Sequence, residues 1–271
     1  MSNVIGHKGH PSTALENSKE SILNAINLSE LDGIEIDVKI TKDKKLILMH
    51  NATLNHINKK RGLITKKTYD ELIGNDMIWH PDYLKQLVNK IASFSFKDGK
   101  IIRERLKKMR SFIFKIDTFE DIIDLFNNYD KKLIIDLKIK KYDKEIKDLI
   151  IKNLRKIKTP QIYLTGYNLN LLLEIKKENP TYKVGLILLN PNNKKLKLPI
   201  DFISIKYFLV TKKFLKKQIE DKKREVFVWN IDSSSQYKYL LKRSGKYIKN
   251  LFIISNYPDY INEHHKKHIA D

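Results

Sequence analysis

The chain contains no cysteine. Disulfide frameworks, cysteine-ligated zinc, iron–sulfur clusters and thiol nucleophiles are thereby excluded. Glycine is scarce, at 9 of 271 residues, and no Pro/Gly/Ser-rich linker or internal repeat divides the sequence. Length alone would allow two domains of ~150 residues, but one α/β barrel of ~250 residues fits as well. Long apolar runs are also missing. The stretch from Val184 to Leu189 falls far short of the ~20 residues that span a bilayer. The opening Met-Ser-Asn-Val-Ile-Gly-His has no basic segment followed by an apolar one. No signal peptide is expected, and a cytoplasmic location is.

Acidic residues are outnumbered, 32 against 53 Lys and Arg, so the formal net charge is +21. The lysines are spread along the whole chain, which reads as a solvated basic surface. No helix-turn-helix or aromatic-plus-basic motif accompanies them, so no specific nucleic-acid partner is expected. At 41% hydrophobic and 10% aromatic residues, the chain has enough apolar material for a real core and does not read as disordered.

Short β-branched runs alternate with helical patterns. Strands are expected at Asn3–His7, Gly33–Thr41, Leu133–Ile139, Gln161–Thr165, Lys183–Leu189, Asp201–Tyr207, Glu225–Ile231 and Leu251–Ser255. Leu46–His50 reads as the return arm of a hairpin after the second of them. Helices are expected at Glu16–Leu28, Phe119–Asn128, Lys144–Lys156, Leu169–Glu178, Thr211–Lys222 and Ser234–Arg243. Starts at Asp117 or Thr118, and at Ser233 or Ser234, would cap free amides. Eight strands separated mostly by helices fit a (β/α)8 TIM barrel better than the alternative, an open doubly wound sheet. The segment from about 51 to 116 is an insertion after the second strand, and residues 262–271 read as a polar tail. Within the insertion, Ile101–Phe114 interleaves basic and apolar residues at helical spacing. It is expected to form an amphipathic helix that packs on the barrel rim or that contacts, weakly, an anionic membrane surface or an anionic ligand.

Polar residues gather at the predicted strand ends, where barrel active sites lie. In the second strand Glu35 and Asp37 point the same way, and Asp136 from the neighbouring strand can reach the same point. Three carboxylates make an oxygen-rich site suited to one divalent cation, Mg²⁺ or Ca²⁺. Pairing of these acids with Lys39 or Lys138 is the competing reading. His7 and His50 end the first strand and the hairpin arm. Beside such a site they suit proton transfer. With Lys8 and Lys138 they suit a phosphodiester. His10, His56, His80, His264, His265 and His268 lack such company and are expected at the surface.

At these residues the chain resembles the glycerophosphodiester phosphodiesterases. The similar stretches, in order, are His7-Lys8-Gly9, Glu16-Asn17-Ser18, Glu35-Ile36-Asp37-Val38, Thr41-Lys42-Asp43-Lys44, His50-Asn51, Asp136-Leu137-Lys138, Val228-Trp229-Asn230 and Ser255-Asn256-Tyr257-Pro258-Asp259. The resemblance implies a single TIM-barrel domain over residues 1–271 with an insertion after the second strand. It implies a divalent metal on Glu35, Asp37 and Asp136, with His7 and His50 as the acid/base pair. Lys8, Lys138, Glu16, Asn17 and Trp229 are implied around the phosphate and glycerol. The implied reaction is hydrolysis of compounds such as glycerophosphocholine or glycerophosphoethanolamine to glycerol 3-phosphate and an alcohol.

Four departures mark this chain, one of them Thr165-Gly166-Tyr167, which stands where a Ser-Phe dipeptide is common in the family and would alter the pocket wall. Lys8 replaces the family's arginine, which keeps the charge and loses the bidentate fork. Asp136 replaces a glutamate, as in related sphingomyelinase D-like enzymes. Asn51 replaces the aspartate beside the second histidine. Two other functions compete on the sequence alone. One is a lysophospholipase D or sphingomyelinase D-like lipid phosphodiesterase at a membrane surface. The other is a non-catalytic basic binding module.

Overall fold

A computed structural model describes residues 3–54, 61–73, 116–158, 161–191 and 194–269. The strands are β1 (Val4–His7), β2 (Gly33–Ile40), β3 (Leu46–Leu48), β4 (Lys132–Leu137), β5 (Gln161–Gly166), β6 (Lys183–Leu188), β7 (Phe202–Lys206), β8 (Glu225–Trp229) and β9 (Leu251–Ser255). Eight of them run parallel in the order β1-β9-β8-β7-β6-β5-β4-β2, and β1 pairs again with β2. The sheet therefore closes on itself. This is a (β/α)8 barrel, and the open-sheet alternative is removed. β3 is the extra strand, antiparallel on the outer end of β2 with Val38 opposite Leu48. It is shorter than the expected Leu46–His50, so His50 lies beyond the ladder.

The described helices are α1 (Lys19–Ile26), α2 (Tyr69–Ile73), α3 (Glu120–Ile123), α4 (Lys144–Leu154), α5 (Leu169–Glu178), α6 (Lys212–Leu215), α7 (Ser234–Ser244) and α8 (Pro258–Ile269). Side chains of Ser18, Asp143, Asn168, Thr211 and Ser233 each accept an amide N–H in the first turn that follows. Each satisfies one of the donors a helix start leaves free. Three expected helices are corrected by local geometry. α1 starts three residues later than expected, because Asn17 takes a positive φ of 58° and hands the cap to Ser18. α3 gives way to a 3₁₀ turn at Asp124–Phe126. α6 widens into π turns at Lys216–Asp221.

The expected tail is also corrected. Residues up to Ile269 belong to α8, and the helix buries Asn262 and His265. His265 is fully buried and His10 is 4% exposed, so neither is the surface residue expected. His265 Nδ1 lies 2.8 Å from the Tyr237 hydroxyl, and His10 Nε2 lies 3.3 Å from Asp259 of α8. Both rings dock the last helix. His268 is exposed as expected, and His264 is half-buried. His56, His80 and Ile101–Phe114 lie outside the described residues.

Strand alternation divides the core in two. On β2, Ile34, Ile36 and Val38 face the helices and join the large outer core. The opposite face carries Glu35, Asp37 and Lys39 into the barrel, where all three are also buried. Below them Ile5, Ile134, Tyr163, Phe202, Phe227 and Ile254 fill the interior. Their rings meet edge to face, with Tyr163–Phe202 centroids 5.3 Å and Phe202–Phe227 centroids 5.2 Å apart. Glycine at 185 makes room for this plug, because a Cβ there would stand 2.3 Å from the Phe202 ring. A plugged lower barrel leaves only its upper mouth for chemistry.

Candidate active site

Parallel pairing brings the acids together. The β1–β2 register sets His7 beside Glu35, and the β2–β4 register sets Asp37 beside Asp136. One carboxylate oxygen from each of Glu35, Asp37 and Asp136 lies within 4.8 Å of the others, and all three residues are buried. Three ionised acids this close repel each other strongly. Burial and the neighbouring Asp37 and Asp136 push the Glu35 carboxyl well above its ordinary range. Burial raises Asp136 to about 6. Asp37 goes the other way: against the cost of burial, Lys138 and Lys8 hold it below the usual carboxylate range. Lys138 is the reason, bridging Asp37 Oδ1 at 3.1 Å and also bonding Asp136. The competing sequence reading is thus half realised: Lys138 pairs with the acids, and Lys39 does not.

One lysine does not satisfy this cluster. Asp136 Oδ1 is buried without a hydrogen-bond partner, a costly condition. An all-oxygen donor set with an orphaned carboxylate oxygen fits a hard divalent cation. Such an ion would also reverse the upward shifts of Glu35 and Asp136 by favouring their charged forms. Two further buried polar groups in the mouth lack a partner, the Thr165 hydroxyl and the Trp229 indole N–H.

The loop after β1 holds the rest. Lys8 has a φ of 59°, and its backbone N–H donates to Glu35 Oε2 at 3.0 Å. Its ammonium is directed at Glu16, 3.1 Å away. Gly9 has a φ of 84°, and a Cβ there would meet the Ser21 backbone at 2.6 Å. The tight turn needs glycine on both counts. Asn17 is committed to Asp37: its Nδ2 donates to Asp37 Oδ2, and its Oδ1 accepts the Asp37 N–H, both at 2.9 Å. Among the substrate residues expected from sequence, Glu16 and Asn17 therefore act on Lys8 and Asp37 in this structure.

His7 Nε2 stands 3.7 Å from Glu35 Oε2. Burial, and then Lys8, lower its pKa to about 3, so the ring is neutral at physiological pH. Its Nδ1 lies 2.7 Å from Asn256 Oδ1 and 2.8 Å from Asn230 Nδ2. Asn256 is held in turn by Asp232, which accepts from its backbone N–H and its side-chain Nδ2, each at 2.8 Å. His50 is exposed overall, with Nδ1 3.2 Å from Asn51 Oδ1. Desolvation of its ring at the mouth, and then Lys8, hold its pKa below the ordinary histidine value. Trp229 packs on the inner plug and has the Lys206 ammonium 5.3 Å from its ring. The Asp232–Asn256 support of His7 is invisible to spacing arguments, because it joins the ends of β8 and β9 to β1.

The chain is similar to known proteins in sequence and fold. The family model of the glycerophosphoryl diester phosphodiesterases matches residues 7–247. A glycerophosphodiester phosphodiesterase of Caldanaerobacter subterraneus subsp. tengcongensis is 23% identical over 250 residues, covering 88% of this chain and 89% of that protein. One from Bacillus altitudinis is 36% identical over 76 residues, a match spanning 28% of this chain and 31% of the relative. Among solved structures, a phosphodiesterase of Oleispira antarctica, in complex with the product sn-glycerol-3-phosphate, superposes with a TM-score of 0.68. It is 19% identical, with 96% of this chain and 95% of that one covered. A glycerophosphodiester phosphodiesterase from Thermotoga maritima gives a TM-score of 0.64 at 19% identity over 96% and 97% of the two chains. The match over residues 7–247 covers nearly the whole barrel, and the chain belongs to the glycerophosphoryl diester phosphodiesterase family.

Proposed function

We propose that the chain hydrolyses glycerophosphodiesters to glycerol 3-phosphate and an alcohol, with the help of one divalent cation. The observation that carries this reading is the buried Glu35–Asp37–Asp136 cluster, with its orphaned oxygen, beside a neutral histidine. Glu35, Asp37 and Asp136 would hold Mg²⁺ or Ca²⁺, which supplies Lewis-acid stabilisation of charge developing on the phosphoryl oxygens.

The protein's own groups divide the proton work. His7 Nε2 takes the proton of the substrate glycerol 2-hydroxyl, whose oxygen attacks phosphorus. The P–O bond to the alcohol breaks, and His50, entering the step in its protonated imidazolium form, gives that oxygen its proton. Water then opens the resulting five-membered cyclic phosphate, with the two histidines exchanging roles, to leave glycerol 3-phosphate. Lys8 and Lys138 border the phosphate and offset its charge. Trp229 offers an apolar wall and an unpaired indole N–H to the glycerol side.

A product assay tests this reading. Glycerophosphocholine and glycerophosphoethanolamine are incubated with Mg²⁺, Ca²⁺, Mn²⁺ or EDTA, and glycerol 3-phosphate is measured. Release with a metal and none in EDTA is expected, with losses of about 10²-fold or more for His7→Ala and for His50→Ala. Full activity in EDTA removes the metal from the mechanism. The lipid-surface reading draws on Ile101–Phe114, which lies outside the described residues, and no described residue of the barrel mouth favours it over soluble diesters.

A further inference from the structure

The barrel mouth carries positive charge that the proposed reaction does not use. Lys39 follows Asp37 by two residues on the same face of β2. Its backbone therefore stands about 7 Å further toward the open end than that of Asp37. The residue is 3% exposed. Among the described residues it makes no hydrogen bond and no ion pair; Lys138, Asp37, Asp136 and Lys140 act on it only beyond ion-pair distance, and the Tyr167 ring has the ammonium 5.9 Å from its centroid.

Tyr167 gathers two more lysines. Lys138 lies 5.5 Å and Lys140 5.6 Å from the same centroid. Lys138 is neutralised by Asp37 and Asp136. Lys140, like Lys39, has no carboxylate within ion-pair distance among the described residues. Tyr167 itself is 49% exposed, so the cluster is reachable from solvent. Burying an ammonium without a counter-ion is costly, and placing a second one nearby adds repulsion. An aromatic face offsets only part of that cost. An anion seated between them would offset the rest.

We propose that Lys39, Lys140 and Tyr167 form a subsite for an anionic group on the leaving alcohol. The favoured substrates are then glycerophosphodiesters whose alcohol itself carries a phosphate or a carboxylate. The inference rests on the phosphodiesterase reading and adds a substrate class to it. Its geometry is simple. The scissile phosphate belongs at the carboxylate layer, and Lys39 lies one inward-facing position above that layer. A second anion joined to the first through a short polyol spans that step.

Two arms test it. In the first, kcat/KM is measured for bis(glycerophospho)glycerol, with an anionic leaving alcohol, and for glycerophosphocholine, with a cationic one. The wild type should favour the anionic diester. Lys39→Met should lower the ratio of the two kcat/KM values about tenfold, mainly through KM of the anionic diester. Lys39→Arg keeps the charge and should keep most of the ratio, which separates charge from packing. In the second arm, calorimetry compares glycerol 1,3-bisphosphate with sn-glycerol 3-phosphate without turnover. Bisphosphate should bind about tenfold more tightly to the wild type, and Lys39→Met should erase that preference. If neither diester is hydrolysed, the catalytic reading fails while the binding arm still judges the subsite. A preference unchanged within about twofold in Lys39→Met overturns the subsite. So does an equal weakening of both ligands, which would assign Lys39 to the scissile phosphate.

Discussion

The proton on His7 is placed by a residue that never touches it. Asp232 accepts from the Asn256 backbone and side chain, and from Ser255 Oγ at 3.3 Å. With its Nδ2 held by a carboxylate, the Asn256 amide must turn Oδ1 toward the ring. Nδ1 then carries hydrogen, and the Nε2 lone pair faces the carboxylate cluster. Asn230 touches the same nitrogen and has no second anchor among the described residues, so its amide turns to suit the ring. Asp232→Asn lets the Asn256 amide rotate. We expect kcat to fall about 10²-fold with KM little changed. Long-range ¹⁵N–¹H NMR should show His7 leaving the Nδ1–H form. An unaltered tautomer would refute the role assigned to Asp232.

At the scale of elements, the turn into α1 and the dock of α8 are the points where single changes tell most. Ser18→Ala removes an N-cap and should cost about 1 kcal/mol in urea unfolding. Gly9→Ala adds both positive-φ strain and a backbone clash at 2.6 Å. It should cost more, ~2 kcal/mol or above. α8 brings pH into stability. Burial lowers His265 from 6.5 to about 4, and its Nε2 has no partner. The unfolded chain therefore binds a proton more readily between those values. The contribution is complete above pH 6.5 and is lost as pH falls toward 4. Urea unfolding at pH 7 and pH 4.5 should differ by about 2 kcal/mol through this residue, and His265→Gln should remove that part of the difference.

Much of this is legible in the sequence, for identifiable reasons. β2 shows its limits because Ile34, Ile36, Val38 and Ile40 alternate with Glu35, Asp37 and Lys39 over its whole length. Two of the three acids of the candidate metal site, Glu35 and Asp37, follow from that same period of two. The burial of His10 and His265 is not legible, because an isolated histidine among polar neighbours does not say which helix face packs. Nor is the displaced start of α1, which depends on one residue, Asn17, entering the left-handed region. The Asp232–Asn256–His7 contacts depend on barrel closure, and no local pattern encodes closure.

For the molecule as a whole, the acid cluster is a reservoir of unfavourable charge that a cation would relieve. Binding to the folded state alone should therefore raise the melting temperature. Linkage gives ~2.7 kcal/mol at a metal concentration of 100 Kd. Differential scanning calorimetry with Mg²⁺ or Ca²⁺ should show the rise. Asp136→Asn should abolish it, without lowering the melting temperature in EDTA, since it removes a buried acid. No described helix is long and apolar enough to cross a membrane.

Barrel closure also sets an order of events. β1 completes its pairing only when β9 joins it, with Val4 opposite Ile253 and Gly6 opposite Ser255. The partner that orients His7 is Asn256, one residue beyond β9. A nascent or proteolysed chain that stops short of this point carries Glu35, Asp37, Asp136, the lysines and both histidines, yet His7 lacks the partner that orients it. On the proposed mechanism, hydrolytic competence then waits for the end of the chain, and fragments that stop short of Asn256 are expected to be inactive.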